Sequence, residues 1–299
     1  MLIDVETASP PYKVSQIKAA SELKKRMTGS SAMGRLIDMA AAHSGIEERF
    51  VVIPDAEDSS IEKFYSNNGN YVTPDTKSRM NEYEKWSKYL TKNAVQKLMH
   101  KTGFIPGELS KIITVSCTGF FAPGLDYFLI NAFNFPLTVK RTNIGFMGCA
   151  ASLIGLNSVL ESMSYSEDTN VLLVSVELCS LHLQTEPSRD NILANMIFAD
   201  GCAAALFSNS DKYSSDIRLN LLYTDSVLFN NSSGYMEWKI GNYGFEMLLS
   251  SDLPKIILNE ASPALIKLLN ARNINHRDIR YWALHPGGRA ILDSLQKGL

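Results

Sequence analysis

The sequence is poor in several features at once, and each absence removes a class of protein. Long apolar runs are missing: Val171-Leu-Leu-Val-Ser-Val176 is among the longest and falls well short of the ~20 residues a membrane helix needs. No charge dominates, since the formal net charge is −2 over 299 residues. Proteins built mainly to grip nucleic-acid phosphates carry a basic excess instead. The start, Met1-Leu-Ile-Asp-Val-Glu6, lacks the basic n-region and apolar h-region of a secretory signal. Cysteine is sparse, with four residues at 117, 149, 179 and 202 and no C-x-x-C. That spacing excludes a zinc ribbon and a small disulfide framework. These absences predict a cytoplasmic chain with free thiols, no metal, and neither nucleic acid nor membrane as partner.

What is present is an ordinary globular composition, 45% hydrophobic and 20% charged. The length suits one large or two medium domains. The first hundred residues read as helical and polar. Val14–Arg26 is periodic and basic, Ser30–Ala42 carries apolar residues at helical spacing, and Phe50–Ile53 is a short strand. The longest helical pattern runs from Thr76 to about Lys101 and leaves at Gly103. Short apolar strands and helices then alternate. Strands are expected over Lys111–Cys117, Thr138–Asn143, Val171–Val176 and Ala203–Ser208. Helices are expected over Leu125–Asn134, Cys149–Ser162 and Asn191–Met196. This cadence favours a layered α/β fold. A second series begins near Asp216. It has an extended Leu219–Phe229, a strand-rich Trp238–Leu249, an amphipathic helix over Leu253–Asn270, a strand at Tyr281–Leu284 and a helix from Ala290.

Two residues stand at strand-to-helix turns suited to chemistry. Gly145 and Gly148 flank a turn before Cys149, and Ala150, Ala151 and Ser152 follow. A cysteine there meets a helix N-terminus, whose free N–H groups and dipole favour a thiolate. Lowering its pKa from about 8.5 to about 6 leaves roughly nine-tenths reactive at pH 7. His285 follows a strand-like run and precedes Pro286-Gly-Gly288 and a helix, a boundary where α/β folds present functional groups. Taken one at a time, a buried structural cysteine and a satisfied loop histidine fit these positions equally well. Ile112–Leu129 and Tyr281–Leu295 echo each other as strand, Cys or His, Pro-Gly, apolar helix, the pattern a duplicated half would leave. Cys179 reads as core, and Cys202 is followed by a strand rather than a helix.

Several segments in order resemble the type III polyketide synthases, the chalcone synthase-like branch of the thiolase superfamily, in their microbial form. They are Ser116-Cys-Thr-Gly119 with Pro123-Gly-Leu-Asp126; Gly145-Phe-Met-Gly-Cys-Ala150; Ser175-Val-Glu-Leu-Cys-Ser-Leu-His182; Phe198-Ala-Asp-Gly-Cys-Ala-Ala-Ala205; Trp238-Lys-Ile-Gly241 with Gly244-Phe245; and Trp282-Ala-Leu-His-Pro-Gly-Gly288. The resemblance implies an α/β, thiolase-like layered fold of two similar halves. Residues 1–210 would form the half with the nucleophile, and 211–299 an incomplete second half with the histidine. It implies an acyltransferase and a homodimer with no cofactor beyond coenzyme A thioesters as substrates. A starter acyl group would move from acyl-CoA to Cys149, and the enolate from decarboxylated malonyl-CoA would attack it. His285 would activate the thiol and stabilise the enolate. Cys117 would shape the cavity beside the nucleophile. Phe245 would be an aromatic gatekeeper at the cavity mouth, and Leu219 would occupy the other gatekeeper position, widening the entrance for longer starters. Arg49 matches a residue contacting coenzyme A phosphates, although Glu47 and Glu48 replace basic residues beside it.

One family feature has no counterpart. The catalytic asparagine lies in a Gly-Asn segment well downstream of the His-Pro-Gly-Gly motif, and this sequence ends at Leu299. The expectation is a C-terminally truncated form with impaired decarboxylation, since losing one such donor typically costs about 10²–10³ in rate. Two alternatives stand beside the leading reading. One is a β-ketoacyl-carrier-protein synthase III-like enzyme. The other is a truncated, non-catalytic partner or remnant.

Overall fold

The computed structural model describes residues 1–27, 31–53, 64–67, 70–165, 167–210, 212–213 and 219–299. Ser30, the expected start of the second helix, and Asp216, near the expected boundary between halves, lie outside them.

The frame is a five-stranded mixed sheet. Its members are β1 (Leu2–Ala8), β6 (Lys111–Ser116), β7 (Lys140–Gly145), β8 (Asn170–Leu178) and β9 (Asp200–Ser208), in the order β1-β9-β8-β6-β7. β7, β6 and β8 run parallel, with Ser116 opposite Gly145 and Ile112 opposite Leu172. β9 pairs antiparallel with β8 and with β1. Shorter pairs lie outside this sheet: β2 (Tyr12–Ser15) with β3 (Glu48–Val51), β4 (Ser66–Asn67) with β5 (Asn70–Tyr71), and β10 (Met236–Gly241) with β11 (Gly244–Leu249).

Side chains alternating along each strand feed two cores. Ile112, Leu172, Val174, Ala204 and Leu206 face one way and meet Leu90, Ala94, Val95 and Leu98 of α3 (Thr76–Thr102). Leu125, Leu129 and Ile130 of α4 (Leu125–Phe133) join that core. Ile113, Val115, Val171, Leu173 and Phe207 face the other way, against Ala151 and Val159 of α5 (Ala151–Ser164). Because both faces are covered, β6 and β8 are nearly continuous apolar runs rather than alternating ones. α3 starts where Asp75 accepts from the Ser78 N–H and ends at Gly103, whose φ of 65° is a left-handed cap. A third cluster joins α1 (Gln16–Arg26), α2 (Ser31–His43) and α6 (Arg189–Ile197) through Leu23, Ile37, Ile192 and Met196.

The expected α/β layers therefore form, with two corrections. Val14 and Ser15 belong to β2, so the first helix begins at Gln16, with Ser15 as its N-cap. In the second series, Tyr281–Leu284 is not a strand, and Leu219–Phe229 keeps a single bridge between Leu219 and Leu2. A strand is stable only when a neighbour takes up its backbone N–H and C=O groups. None of the described residues pairs with these runs beyond that bridge. The helix expected over Leu253–Asn270 is present as α7 (Leu253–Ile256), a π-helical stretch (Ile257–Ala261) and α8 (Ser262–Ala271). α9 (Arg289–Gly298) follows the His-Pro-Gly-Gly segment.

Candidate active site

The three parallel strands end at one edge of the sheet, and each hands a cysteine to it. β6 runs into Cys117, β7 into the turn bearing Cys149, and β8 into Cys179. The carboxyl edge of parallel strands is where open α/β folds place their chemistry.

The turn after β7 is strained. Phe146 has φ 55° and Gly148 φ 62°, so a non-glycine residue sits in the left-handed region next to the expected nucleophile. A 3₁₀ turn, Gly148–Ala150, carries Cys149 just ahead of α5. Gly155, one turn into α5, lets that helix lie close to the sheet: a Cβ there would stand 2.9 Å from Leu173 Cδ1. Cys149 is exposed, whereas Cys117 and Cys202 are buried. The Cys117 thiol points at the Gly148 carbonyl, 3.7 Å away. The structure thus brings Cys117 to the nucleophile turn, where a pocket-shaping residue would stand.

The expected thiolate is not favoured. The Cys149 pKa lies above the ordinary 9.0 because the packed protein on its inner side desolvates the thiol and the Glu177 charge opposes ionisation; its own N–H pulls the other way more weakly. Cys149 also precedes the first α5 residue by two positions, so the helix dipole acts only at its margin. Burial pushes Cys202 up to about 12 and Cys179 well above its ordinary value, which fits core thiols.

Glu177 is the charge at this edge. Its carboxylate accepts from the Cys117 N–H at 2.8 Å and the Thr118 hydroxyl at 2.6 Å. Burial raises its pKa, and these donors partly offset the shift. Glycine is required at 119, where any Cβ would fall 2.2 Å from the Tyr83 ring.

Phe245 is not at an open mouth. It is 1% exposed and stacks on the His182 imidazole, with ring centroids 4.1 Å apart. Trp238 meets both rings edge-on, and Phe146 of the nucleophile turn lies 5.6 Å from Phe245. The three rings line a cavity of about 130 Å³ with Cys179, Leu23, Arg26 and Met247. Phe245, buried under His182 and Trp238, forms part of the cavity wall. Leu219 stands at the far sheet margin, paired with Leu2 and largely exposed, and does not line this cavity.

Arg49 is drawn inward. Its Nη1 donates to the carbonyls of Asn195 (2.5 Å) and Phe198 (2.9 Å) at the end of α6. Burial lowers its pKa to about 10 against the opposing pull of Asp200. A guanidinium committed to these carbonyls is not presented to a phosphate outside. Arg26, less buried than Arg49, also lines the cavity.

His285 is exposed and shares neither a hydrogen bond nor a cavity with Cys149 among the described contacts. Its segment approaches α6, with Ile197 3.9 Å from the Cβ position of Gly288. Among the described residues, no group of His, Cys, Asp or Glu is arranged to hold a metal ion, and no helix is long and apolar enough to cross a membrane.

Sequence reasoning missed Thr118, Glu177, Arg79 and the role of His182. Arg79 is fully buried and donates to the Pro74, Leu181 and Leu183 carbonyls. Thr118 and Glu177 lie inside segments already singled out. Arg79 sits in an ordinary helical run with no local signal.

Known proteins resemble this chain along its whole length. Residues 56–229 match the family model described as FAE1/Type III polyketide synthase-like protein, and residues 220–299 match Chalcone and stilbene synthases, C-terminal domain. Polyketide synthase 37 of Dictyostelium discoideum is 30% identical over 69% of the chain, which spans only 7% of that much longer protein. A putative chalcone synthase of Bacillus subtilis is 28% identical over 100% of this chain and 81% of its own. The crystal structure of PKS-I from the brown alga Ectocarpus siliculosus superposes with a TM-score of 0.90 at 26% identity, covering 100% of this chain and 80% of that one. Motifs, thiolase-like layers and family models agree, and the chain belongs to the type III polyketide synthase family of acyltransferases.

Proposed function

We propose that this chain receives an acyl group from a coenzyme A thioester on Cys149 and extends it with malonyl-CoA by decarboxylative Claisen condensation. The observation that carries this reading is the strained, glycine-flanked turn that displays Cys149 at the carboxyl edge of the parallel strands. In the loading step the Cys149 sulfur bonds to the acyl carbon, the carbon–sulfur bond to coenzyme A breaks, and the thiol proton leaves with the coenzyme A thiol. The malonyl enolate then attacks the acyl carbon and releases the cysteine. The aromatic cavity walled by Phe245, Trp238 and His182 is lined by no residue of the turn, but Phe146 of the turn packs against Phe245, and this cavity is the proposed place for the growing acyl chain. His285 is the residue proposed to activate the thiol and stabilise the enolate. No cofactor beyond the thioester substrates is needed, and the working unit is a homodimer.

The raised Cys149 pKa favours a second reading, a non-catalytic partner of an active synthase. Incubation with acyl-CoA and malonyl-CoA separates the two. Extended products from the unmodified chain, abolished by Cys149→Ala and strongly reduced by His285→Ala, support the enzyme. An unmodified chain that gives neither extended products nor carbon dioxide release supports the partner.

A further inference from the structure

His182 holds together two parts of the molecule that are far apart in sequence. Its Nδ1 accepts the backbone N–H of Phe245 at 2.9 Å, so the ring proton lies on Nε2. That nitrogen meets the Thr118 carbonyl at 2.7 Å and donates to it. One neutral imidazole therefore uses both nitrogens, one toward the β10–β11 hairpin and one toward the turn after β6. Burial keeps it neutral down to about 4, with the Arg79 charge acting in the same direction. The ring face is also used, stacked on Phe245 with an interplanar angle of 15°.

The turn that His182 grips is tied to the nucleophile. Trp238, on the same hairpin, donates its indole N–H to the Cys117 carbonyl at 2.8 Å, and the Cys117 thiol rests on the Gly148 carbonyl. Gln184 adds bonds to the Tyr243 and Phe245 carbonyls. The hairpin thus has several anchors, and among the described residues His182 alone accepts the Phe245 backbone N–H. Without that acceptor, the buried donor would have to shift or remain unpaired, which is costly.

We propose that His182 is a positioning residue for acyl-group binding: its two hydrogen bonds set the Phe245 ring at a fixed distance from the Cys117–Thr118 turn and so define the cavity that receives the acyl chain. The reaction side of this inference rests on the proposed function, while the geometric side does not.

Two variants of the full chain divide ring packing from hydrogen bonding. His182→Phe keeps a stacked ring and loses both bonds. His182→Asn loses the ring and returns an acceptor at the Nδ1 position. Amide hydrogen exchange at Phe245, measured relative to Leu248, whose N–H faces β10 in the same hairpin, removes the effect of global stability. His182→Phe is expected to speed the relative exchange at Phe245 about tenfold, and His182→Asn to restore most of the protection. Loading of Cys149 from acyl-CoA, followed by intact mass, is expected to show KM raised about tenfold in His182→Phe with a limiting rate within about twofold of wild type. His182→Asn should recover much of the KM. Unchanged exchange at Phe245 in His182→Phe overturns the geometric claim. Altered exchange with an unchanged KM overturns the positioning role. A wild-type chain that loads no acyl group overturns the reading on which the reaction side rests, and the exchange ratio still decides whether His182 holds Phe245.

Discussion

Cys149 stands between opposing influences, and their balance is not the one its neighbours in sequence imply. Small residues and glycines at the turn argue for a helix-dipole thiolate. The folded chain adds desolvation and the Glu177 carboxylate, which belongs to a strand nearly thirty residues away, and the pKa rises above 9.0. A thiol titrating above 9 gains thiolate about tenfold per pH unit from pH 7 to pH 9. Iodoacetamide labelling of Cys149, read by peptide mass spectrometry, should rise by about that factor per unit, whereas a rate already level at pH 7 would mean a lowered pKa. Asp200 gives a second residue-scale test. It accepts the Val52 and Ser180 N–H groups, and burial raises its pKa from 3.8 to about 6. The native state therefore holds this proton more tightly than the unfolded chain. Its stabilising contribution is full below about 3.8 and is lost as pH rises through 6, on the order of 3 kcal/mol. Urea unfolding at stepped pH should show wild type losing stability relative to Asp200→Asn between pH 4 and pH 7. A constant difference would contradict the shift. At neutral pH the variant should still be the less stable, since its amide cannot accept the Val52 N–H where Oδ2 did.

At the scale of elements, the strands of the main sheet were legible because β6 and β8 are apolar on both faces and sit between turn residues. α3 was legible from its length and from Gly103. Legibility failed where an element depends on a neighbour. Tyr281–Leu284 has the composition of a strand, but no described segment pairs with it. Phe245 was recognised as an aromatic of the cavity, yet its burial follows from a stack with His182, 63 positions away, and no local pattern encodes that contact. The resemblance gives Arg49 as a contact to coenzyme A phosphates, with acidic Glu47 and Glu48 beside it. The α6 carbonyls that claim it lie about 150 residues on. Gly155 tests the placement of α5 directly. Gly155→Val should force the helix away from Leu173 and Ile144, costing about 1–3 kcal/mol. Chemical denaturation measures that loss, and faster iodoacetamide labelling of Cys149 should accompany it as the turn loosens. A variant as stable as wild type would show that α5 does not rest on the sheet at this point.

For the molecule as a whole, the surface around the nucleophile turn is unusually apolar. Phe120, Tyr127, Phe146, Met147 and Leu153 are each at least 42% exposed. Clusters of this kind mark interaction surfaces, and the homodimer is the assembly proposed to cover them. Light scattering coupled to size exclusion should return twice the chain mass, and a monomer at every concentration would contradict it. The resemblance read in six sequence segments anticipated the thiolase-like frame, because motifs at strand ends survive wherever the strands do. It did not anticipate that the Cys149 pKa would be raised, since that depends on Glu177 and the packing around the turn rather than on the motif.

The central claim is that Cys149 becomes acylated. Intact mass spectrometry of the purified chain after incubation with a long-chain acyl-CoA tests it most directly. The account predicts a single added acyl mass, mapped to Cys149, absent in Cys149→Ala and formed faster as pH rises from 7 to 9. An unmodified chain, or an adduct spread over Cys117, Cys179 and Cys202, would contradict it.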